Sequence, residues 1–399
     1  MDFFEHIEEA PADPIFGLGA AFRKDSRQSK VNLGIGAYCT ADLKPHIMTS
    51  VKEAERKLLE SESSKNYLPI EGDPKYLELA KELMFGAVAS RPIASVQSVG
   101  GTGALRLGAD FLVQSGIKEI YLPDPTWGNH KRIFATAGLK VHTYPYYNPE
   151  IHGVDFEAMM EAVGQMPPTS AILLHGCCHN PTGFDPTEAQ FAELLTKLTE
   201  RGVLPFFDIA YQGFGDGIEQ DAGAIRKFVE AGTQILVACS FSKNFGLYAE
   251  RTGVLFAACT SKQQQEAVLS QLKVLVRGNY SNPACHGARI VANILGNPAL
   301  KTKWQHELET MRGRIGAMRQ ALVSELSLRS KGSAEPFAYI GRSKGMFAFT
   351  GLSGELADRL IFDYGIYLLK NGRINLAGLN TENISYVADG IMTVYESVS

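Results

Sequence analysis

Between residues 90 and 260, short apolar runs alternate with longer stretches in which apolar residues recur every three or four positions. The first pattern is typical of buried strands and the second of amphipathic helices. Their alternation predicts crossover units, and hence a mostly parallel sheet with helices on both faces. The predicted strands lie at 95–99, 119–122, 171–175, 203–208, 235–240 and 253–258, and the predicted helices at 104–114, 130–138 and 187–201.

The chain after residue 298 has a different order of elements. Because 399 residues exceed the usual size of one domain, we expect a second domain there. Its mixed order of helix and strand is typical of a smaller α+β unit. The early segment 31–36 could belong to either domain. The C-terminal elements are a helical stretch up to 326, a strand-like segment at 346–350, a helix near 355–363 and a strand-like segment at 373–378.

The charges are spread along the chain and give a formal net charge of -4. This balance offers no basic surface for nucleic acid or for an anionic membrane. The acidic N-terminus does not resemble a secretory signal. The apolar runs are also far shorter than the roughly 20 residues of a spanning helix. We therefore expect a cytoplasmic protein that acts on small molecules.

The cysteines do not predict a disulfide framework in a chain of this length, and several lie in apolar segments typical of reduced thiols. The sequence Cys177-Cys178-His179 raises the question of a metal site. Side chains of neighbouring residues on an extended segment point to opposite faces, and no second ligand pair has zinc spacing. We therefore expect no metal. The six cysteines are Cys39, Cys177, Cys178, Cys239, Cys259 and Cys285.

Ligands of open parallel sheets gather beyond the carboxyl ends of the strands, so the residues that follow each predicted strand are the first candidates. The segment Gly100-Gly101-Thr102-Gly103 opens a helix, where backbone N–H groups and the helix dipole favour a phosphate. A dinucleotide fingerprint would require glycine at the position of Arg106. The segment is therefore either a phosphate cradle or a structural glycine turn.

Two further strand ends carry side chains that suit a flat aromatic ligand. Trp127, one of two tryptophans, could stack on a ring or could belong to the core. Asn180 precedes Pro181, which favours an extended conformation. Its amide could donate to a phenolic oxygen, or the pair could simply form a turn.

Asp208 and Lys243 end two successive apolar runs, 35 residues apart. This spacing is about one crossover unit, so we expect the two side chains on adjacent strands. A carboxylate at the end of a buried strand needs a partner such as a protonated ring nitrogen. An apolar environment favours the neutral form of an amine, which forms an imine with an aldehyde. The alternative for Lys243 is an ordinary solvated loop lysine.

A ring nitrogen, an aldehyde and a phosphate are the three groups of pyridoxal phosphate. At these residues the chain resembles the fold type I, class I aminotransferases, in particular the aspartate and aromatic amino acid aminotransferases. The resemblance covers nearly the whole chain and rests on the number and order of its short motifs. They are Ala10-Pro-Ala-Asp-Pro-Ile-Phe-Gly-Leu, Asn32-Leu-Gly-Ile-Gly-Ala-Tyr, Lys65-Asn-Tyr-Leu, Gly101-Thr-Gly-Ala-Leu-Arg, Cys177-Cys-His-Asn-Pro-Thr-Gly, Asp208-Ile-Ala-Tyr-Gln-Gly-Phe, Ser242-Lys-Asn-Phe-Gly-Leu-Tyr and Asn279-Tyr-Ser-Asn-Pro.

The resemblance implies an α/β fold, with a large domain built on a mostly parallel seven-stranded sheet and a smaller α+β domain formed from both chain ends. Residues 1–12 would form an arm toward a partner subunit. Residues 13–44 and 311–399 would form the small domain, and residues 45–310 the large cofactor-binding domain. The protein would be a homodimer whose active sites are shared between the subunits.

The resemblance also implies roles for the candidate residues toward pyridoxal phosphate. Lys243 would bind the cofactor covalently, and Asp208 would pair with its ring nitrogen. Asn180 and Tyr211 would contact the phenolic oxygen, and Trp127 would stack on the ring. Lys243, Asp208 and Tyr211 would be the catalytic residues. The other cofactor-binding residues would be Gly101, Thr102, Gly103, Ser240, Arg251 and, from the second subunit, Tyr67.

Two arginines are implied to bind the substrate. Arg373 would hold the α-carboxylate as a bidentate pair, with help from the backbone of Gly36. Arg277 would reach across the dimer to a side-chain carboxylate. A planar guanidinium suits both tasks better than an ammonium group. Trp127 and Asn180 would also face the substrate.

The implied reaction moves the amino group of aspartate, and of aromatic amino acids, to 2-oxoglutarate in two half-reactions. Lys243 would act first as nucleophile and then as base. The alternatives are a preference for tyrosine or phenylalanine, another pyridoxal phosphate reaction such as decarboxylation or β-elimination, and a cofactor-holding protein without turnover. Lys370-Asn371 and Pro69 depart from the family pattern near the expected substrate entrance, which bears on substrate range.

Overall fold

The structure is a computed structural model that describes residues 2–11, 13–330 and 336–398. The α-helices are α1 (Pro14–Lys24), α2 (Thr49–Ser61), α3 (Pro74–Phe85), α4 (Gly100–Gln114), α5 (His130–Thr136), α6 (Phe156–Gln165), α7 (Glu188–Arg201), α8 (Ile218–Asp221), α9 (Gly223–Glu230), α10 (Lys262–Asn279), α11 (His286–Leu295), α12 (Pro298–Arg329), α13 (Gly354–Tyr364) and α14 (Ile384–Glu396). The strands are β1 (Val31–Asn32), β2 (Ile93–Val99), β3 (Glu119–Asp124), β4 (Lys140–Pro145), β5 (Tyr147–Asn148), β6 (Gly153–Val154), β7 (Ala171–His175), β8 (Leu204–Ile209), β9 (Ile235–Ser240), β10 (Thr252–Ala258), β11 (Phe347–Phe349), β12 (Ile366–Tyr367) and β13 (Arg373–Asn375).

The chain divides into two compact units. The larger unit contains Pro45–Ala317 and Arg342–Phe347. The smaller unit contains the described residues of Met1–Lys44, Met318–Gly341 and Ala348–Ser399. The predicted smaller α+β domain from both chain ends is thus confirmed. The boundaries at 12, 44 and 310 stay a prediction, and residues 1, 12, 331–335 and 399 of those ranges lie outside the described residues.

A seven-stranded sheet organises the larger unit, in the order β2-β10-β9-β8-β7-β3-β4. Strand β10 runs antiparallel to both of its neighbours, whereas β9, β8, β7, β3 and β4 pair in parallel. The mostly parallel sheet predicted from the sequence is therefore confirmed. Because β4 lies on one side of β3 and β7 on the other, the crossover direction changes between β3 and β7. Ligands of open α/β sheets bind outside the carboxyl ends at such a point.

Burial explains why the central strands could be predicted from the sequence. All residues of β7, β9 and β10 are buried. Strands covered on both faces read as continuous apolar runs rather than as an alternation. The start of α7 lies where the sequence predicts it, because Thr187 and Gln190 form a reciprocal capping box with the helix backbone.

Helix α4 lies close against the sheet because it carries glycine at a contact point. A Cβ added to Gly108 would overlap the ring of Phe206, which is fully buried on β8. No side chain larger than hydrogen fits there without movement of the ring. By contrast, nothing lies within 4 Å of a Cβ added to Gly313 in the middle of α12.

We expect Gly108→Ala to lower the free energy of unfolding by about 1–3 kcal/mol, because an extra methyl group in a packed core forces strain. Gly313→Ala is the matched control, since alanine favours a helix and should stabilise the protein by about 0.5–1 kcal/mol. Urea unfolding curves of both variants measure the difference. Equal effects of the two substitutions would contradict the described packing of α4.

The smaller unit joins the two ends of the chain. Strand β1 pairs in parallel with β12, so the segment that begins at Val31 belongs to this unit. Arg27 donates to the carbonyls of Ile361 (2.9 Å) and Phe362 (2.8 Å) in the last turn of α13. Hydrogen bonds from Arg27 hold the pKa of Asp25 well below its usual range. Among the described helices of both units, none is long and apolar enough to cross a membrane.

Candidate active site

Lys243 lies in a tight turn that follows the buried strand β9. The N–H of Gly246 donates to the carbonyl of Lys243 (3.1 Å), and Gly246 has φ +65°, a conformation that favours glycine. Lys243 is half-buried, and its Nζ lies 5.2 Å from the ring centroid of Tyr248. The turn therefore places the amine at the carboxyl edge of the sheet.

Asp208 lies at the carboxyl end of the neighbouring strand. Strands β8 and β9 pair in parallel, with Asp208 opposite Ala238, so the predicted adjacency of the Asp208 and Lys243 strands is confirmed. The side chain of Asp208 is 12% exposed, and one carboxylate oxygen lies 3.0 Å from Nε2 of the fully buried His130. One face of the carboxylate is thus anchored in the protein interior.

A chain of hydrogen bonds leads from Asp208 back to Asn180. The Asn180 N–H donates to Nδ1 of His175 (3.3 Å), and Nε2 of His175 lies 3.2 Å from the hydroxyl of Thr126. That hydroxyl lies 2.9 Å from Nδ1 of His130. Because His175 accepts at Nδ1, its proton is on Nε2 and is donated to Thr126. Thr126 then donates to His130, which donates from Nε2 to Asp208.

Burial keeps two imidazoles of this region neutral. Burial lowers the pKa of His175 to about 3, with a further contribution from His130. His175 is therefore neutral near pH 7, which the donor directions require. Burial also lowers the pKa of His179, whose ring lies 4.3 Å from that of His175. His175 and His179 are therefore neutral imidazoles rather than cations.

Sequence reasoning missed Thr126, His130 and His175. Thr126 lies between β3 and α5, His130 is the first residue of α5, and His175 ends β7. No local periodicity marks these three residues, because their proximity depends on the pairing of β3 with β7. Each does follow or end a strand at the switch point, and this is the signal by which a search for strand-end polar residues could have found them.

Asn180 and Tyr211 are both buried, with 6% and 8% exposure. The loop before Asn180 is held by the carboxylate of the half-buried Asp185, which accepts the backbone N–H groups of Cys178 (2.7 Å) and His179 (2.8 Å). Burial raises the pKa of Asp185 to about 6. Tyr211 follows β8, and its ring meets that of Phe347 edge-on at 5.7 Å.

The start of α4, Ser240 and Arg251 form a cradle for an anion. A Cβ added to Gly101 would lie 3.0 Å from Cβ of Ser240, so glycine lets the first helical turn approach the end of β9. A Cβ added to Gly100 would meet the guanidinium of Arg251 at 2.5 Å. Arg251 also donates to the Ser242 hydroxyl (3.3 Å). Thr102 and Gly103 complete this turn of α4.

Trp127 lies beside this hydrogen-bond network, in the segment between β3 and α5. Its indole meets the imidazole of His130 edge-on, with centroids 5.1 Å apart and planes at 90°. The ring also packs partly against the core cluster between α4 and the sheet. The larger unit therefore brings the predicted residues Trp127, Asn180, Asp208, Tyr211 and Lys243 to one edge of the sheet.

The remaining predicted residues are Arg373, Gly36, Tyr67 and Arg277. Arg373 is buried in the smaller unit, where it donates to the carbonyl of Gly34 (3.0 Å), two residues before Gly36. Tyr67 is 91% exposed on the larger unit. Arg277 is exposed near the end of α10 and donates to the hydroxyl of Ser281. The roles implied for these residues stay predictions.

The extended conformation expected at Cys177-Cys178 is wrong. Cys178 has φ +53°, so the segment is not extended, and ligand atoms of Cys177, Cys178 and Asp221 lie within 4.8 Å of one another. Hydrogen bonds account for this cluster. The interaction with Cys178 and burial raise the pKa of the Cys177 thiol. The Asp221 carboxylate accepts backbone N–H groups from Gly213, Gly215, Asp216 and Gly217. The expectation of no metal stays a prediction.

The sequence matches the family model described as aminotransferase class I and II over residues 28–391. It is 44% identical to the aspartate aminotransferase of Escherichia coli strain K12 over 396 residues, which are 98% of this chain and 100% of that protein. It is also 44% identical over 403 residues to the chloroplastic aspartate aminotransferase of Arabidopsis thaliana, covering 99% and 88% of the two chains.

The structure is similar to solved aminotransferase structures. An aromatic-amino-acid aminotransferase from Burkholderia pseudomallei, covalently bound to pyridoxal phosphate, superimposes with a TM-score of 0.95 at 43% identity, covering 99% of this chain and 100% of that chain. The cytoplasmic aspartate aminotransferase of Saccharomyces cerevisiae gives a TM-score of 0.95 at 38% identity, covering 100% and 99%. The resemblance drawn from the sequence motifs is confirmed.

Proposed function

The chain belongs to the class I and II aminotransferase family, and on this premise we propose that it transfers the amino group of aspartate to 2-oxoglutarate, with pyridoxal phosphate as cofactor. The observation that carries the proposal is the placement of Asp208 and Lys243 at the ends of neighbouring parallel strands. The two named relatives are aspartate aminotransferases, and their similarity to this chain covers almost its full length.

The donor set of the larger unit fits pyridoxal phosphate. The cradle of Gly101, Ser240 and Arg251 combines a helix start with a guanidinium, which suits a phosphate. Asp208 accepts from His130 on one side and retains acceptor capacity for a protonated ring nitrogen. Lys243 provides the amine that the aldehyde requires. When bound, the cofactor supplies an electron sink that allows a proton to leave the substrate Cα.

The residues of this chain then have separate tasks. Lys243 would hold the cofactor, and its amine, once free, would move a proton from the substrate Cα. Asp208, fixed by His130, would favour the protonated form of the cofactor's ring nitrogen. Asn180 and Tyr211 would donate to the phenolic oxygen, and Trp127 would stack on the ring. Thr102 and Gly103 contribute to the phosphate site with the cradle residues.

The substrate carboxylates are assigned to arginines. We assign the α-carboxylate to Arg373 with the Gly36 backbone, and the side-chain carboxylate to Arg277 of a second subunit. Tyr67 of that subunit would complete the phosphate site, and its 91% exposure in one chain supports this assignment. The active assembly in this proposal is a cytoplasmic homodimer.

Aromatic amino acids are the second candidate donors, because several similar structures are aromatic amino acid aminotransferases. Steady-state rates with aspartate, tyrosine, phenylalanine and a branched-chain donor, each with 2-oxoglutarate, test both candidates. The proposal requires oxaloacetate from aspartate at a rate that exceeds the branched-chain rate. Release of CO₂ or of an eliminated side chain in place of the 2-oxo acid would instead support another pyridoxal phosphate reaction. A covalent adduct without product would indicate a protein without turnover.

Arg277→Ala should separate the two donor classes. Loss of a charged hydrogen-bonded contact costs about 1.5–3 kcal/mol, so kcat/KM for aspartate should fall roughly 10- to 150-fold. The value for phenylalanine should stay within about twofold, since its side chain offers no carboxylate to lose. Lys262→Ala removes an exposed cation from the start of the same helix and serves as the control. An unchanged aspartate value in Arg277→Ala would show that the arginine has another role.

A further inference from the structure

Trp304, on helix α12, is fully buried and contacts the turn that carries Lys243. Its indole Nε1–H donates to the carbonyl of Asn244 (2.7 Å). The same ring stacks on Phe245, with centroids 4.5 Å apart and planes 12° from parallel. One side chain therefore restrains both residues that follow Lys243.

Residues 241–246 lie beyond the end of β9, so the hydrogen bonds between the strands of the sheet no longer fix them. The position of the turn therefore depends on side-chain contacts as well. Phe241 donates its N–H to the carbonyl of Thr252 (3.1 Å), and its ring meets Phe245 edge-on. Asn244 is buried in the middle of the turn. A buried carbonyl that loses its donor is costly, so the indole N–H defines where this peptide unit can lie.

Helix α12 is itself fixed where it carries Trp304. Three residues further on, the Glu307 carboxylate accepts the backbone N–H groups of Thr49 (2.6 Å) and Ser50 (3.1 Å) at the start of α2. Leu308 packs so closely on Gly213, two residues after Tyr211, that no side chain fits there. This part of α12 thus backs the turns that follow both β8 and β9. Trp304 is therefore held in a fixed position by its helix, and it can restrain the turn that it contacts.

We propose that Trp304 is a positioning residue for Lys243, acting through the main chain of Asn244 and the ring of Phe245. The inference rests on the proposed function, in which the amine must reach the substrate Cα after it has released the cofactor. A misplacement of about 1 Å in such a group can cost about 100-fold in rate. Fixing the two residues that follow Lys243 limits the volume that its amine samples.

Trp304→Phe tests the proposal, because it keeps a ring against Phe245 and removes the N–H. We expect kcat for aspartate per cofactor-loaded site to fall about tenfold, with KM within about twofold. The midpoint of the cofactor absorbance change with pH, which reports the lysine–cofactor link, should shift. Amide hydrogen exchange in residues 241–246 of the full-length protein should become faster, a readout that does not depend on turnover.

Tyr386→Phe is the matched control, because it removes another aromatic donor, the Tyr386 hydroxyl, from a main-chain carbonyl, that of Tyr364 (2.5 Å). It should change neither kcat, nor the titration midpoint, nor exchange in 241–246. If Trp304→Phe lowers thermal stability but leaves these three quantities at wild-type values, Trp304 is only structural and the proposal is overturned.

Phe245→Leu keeps the indole N–H and removes the stacked partner, and it decides the matter if Trp304→Phe does not fold. The expected change in kcat and in exchange has the same direction and is smaller, whereas wild-type values would again overturn the proposal. Failure of the proposed function is distinguishable, because the wild-type protein would then yield no oxaloacetate. The exchange of residues 241–246 would still report the position of the turn.

Discussion

Lys243→Ala should abolish transamination, with a loss of kcat of about 10⁴-fold or more. A positioned acid–base group contributes about 10²–10⁴-fold, and this residue is also assigned the covalent hold on the cofactor. The turn places its amine at the end of β9, and Asp208 is the penultimate residue of the neighbouring strand β8. No other lysine is assigned to this edge of the sheet, so we expect no residual base.

The substitution should leave the fold intact. Lys243 is half-buried, and Gly246 together with the aromatic contacts of Phe245 holds the turn. Oxaloacetate formation from aspartate measures activity, and far-ultraviolet circular dichroism checks the fold. Lys227→Ala, which removes a lysine paired with Glu188 (2.9 Å) in the same unit, should keep wild-type activity. A Lys243→Ala protein with near wild-type kcat would contradict the assignment.

Asp208→Asn has the second largest expected effect, a fall in kcat on the order of 10³-fold. An amide cannot hold a proton on the ring nitrogen as a carboxylate does, and the loss of a preorganised charge at a reacting site costs about 10²–10³-fold. The amide oxygen can still accept from His130, so the hydrogen-bond chain through Thr126 remains possible. The fall in kcat therefore measures the effect of removing the negative charge of Asp208, rather than an effect on the packing around it.

Two controls sharpen this result. Asp208→Glu retains a carboxylate and should recover part of the lost kcat, although its longer side chain displaces the contact with His130. Asp216→Asn removes an exposed carboxylate that pairs with Lys344 (2.5 Å), and its kcat should match the wild type. Steady-state kinetics at saturating aspartate measure all three variants. If Asp208→Asn and Asp216→Asn behaved alike, Asp208 would have no role at the ring nitrogen.

The strands of the larger unit could be predicted because burial on both faces leaves a direct signal in the sequence. Strands β7 and β9 coincide with the apolar runs at 171–175 and 235–240. The position of Lys243 followed from the run at 235–240, and that of Asp208 from the predicted strand at 203–208. The family resemblance added the seven strands and the small domain, which the structure and the comparisons confirm.

The parts that were missed depend on contacts between distant segments. The network behind Asp208 joins residues from three segments, and the sequence separation of His130 and Asp208 is 78. The left-handed backbone of Cys178 brings two thiols together, although such a conformation is uncommon for a non-glycine residue. Helix α12 was predicted from its length and pattern, but nothing in that pattern indicates that Trp304 faces the Lys243 turn.

Lys243 is assigned as the residue that binds pyridoxal phosphate covalently. Borohydride reduction of the cofactor-loaded protein makes the linkage permanent, and mass spectrometry of the digested peptides locates it. We predict that the reduced cofactor is found on Lys243 in the peptide that contains Ser240-Phe-Ser-Lys-Asn-Phe-Gly. Attachment to a different lysine, or recovery of this peptide without the cofactor, would contradict it.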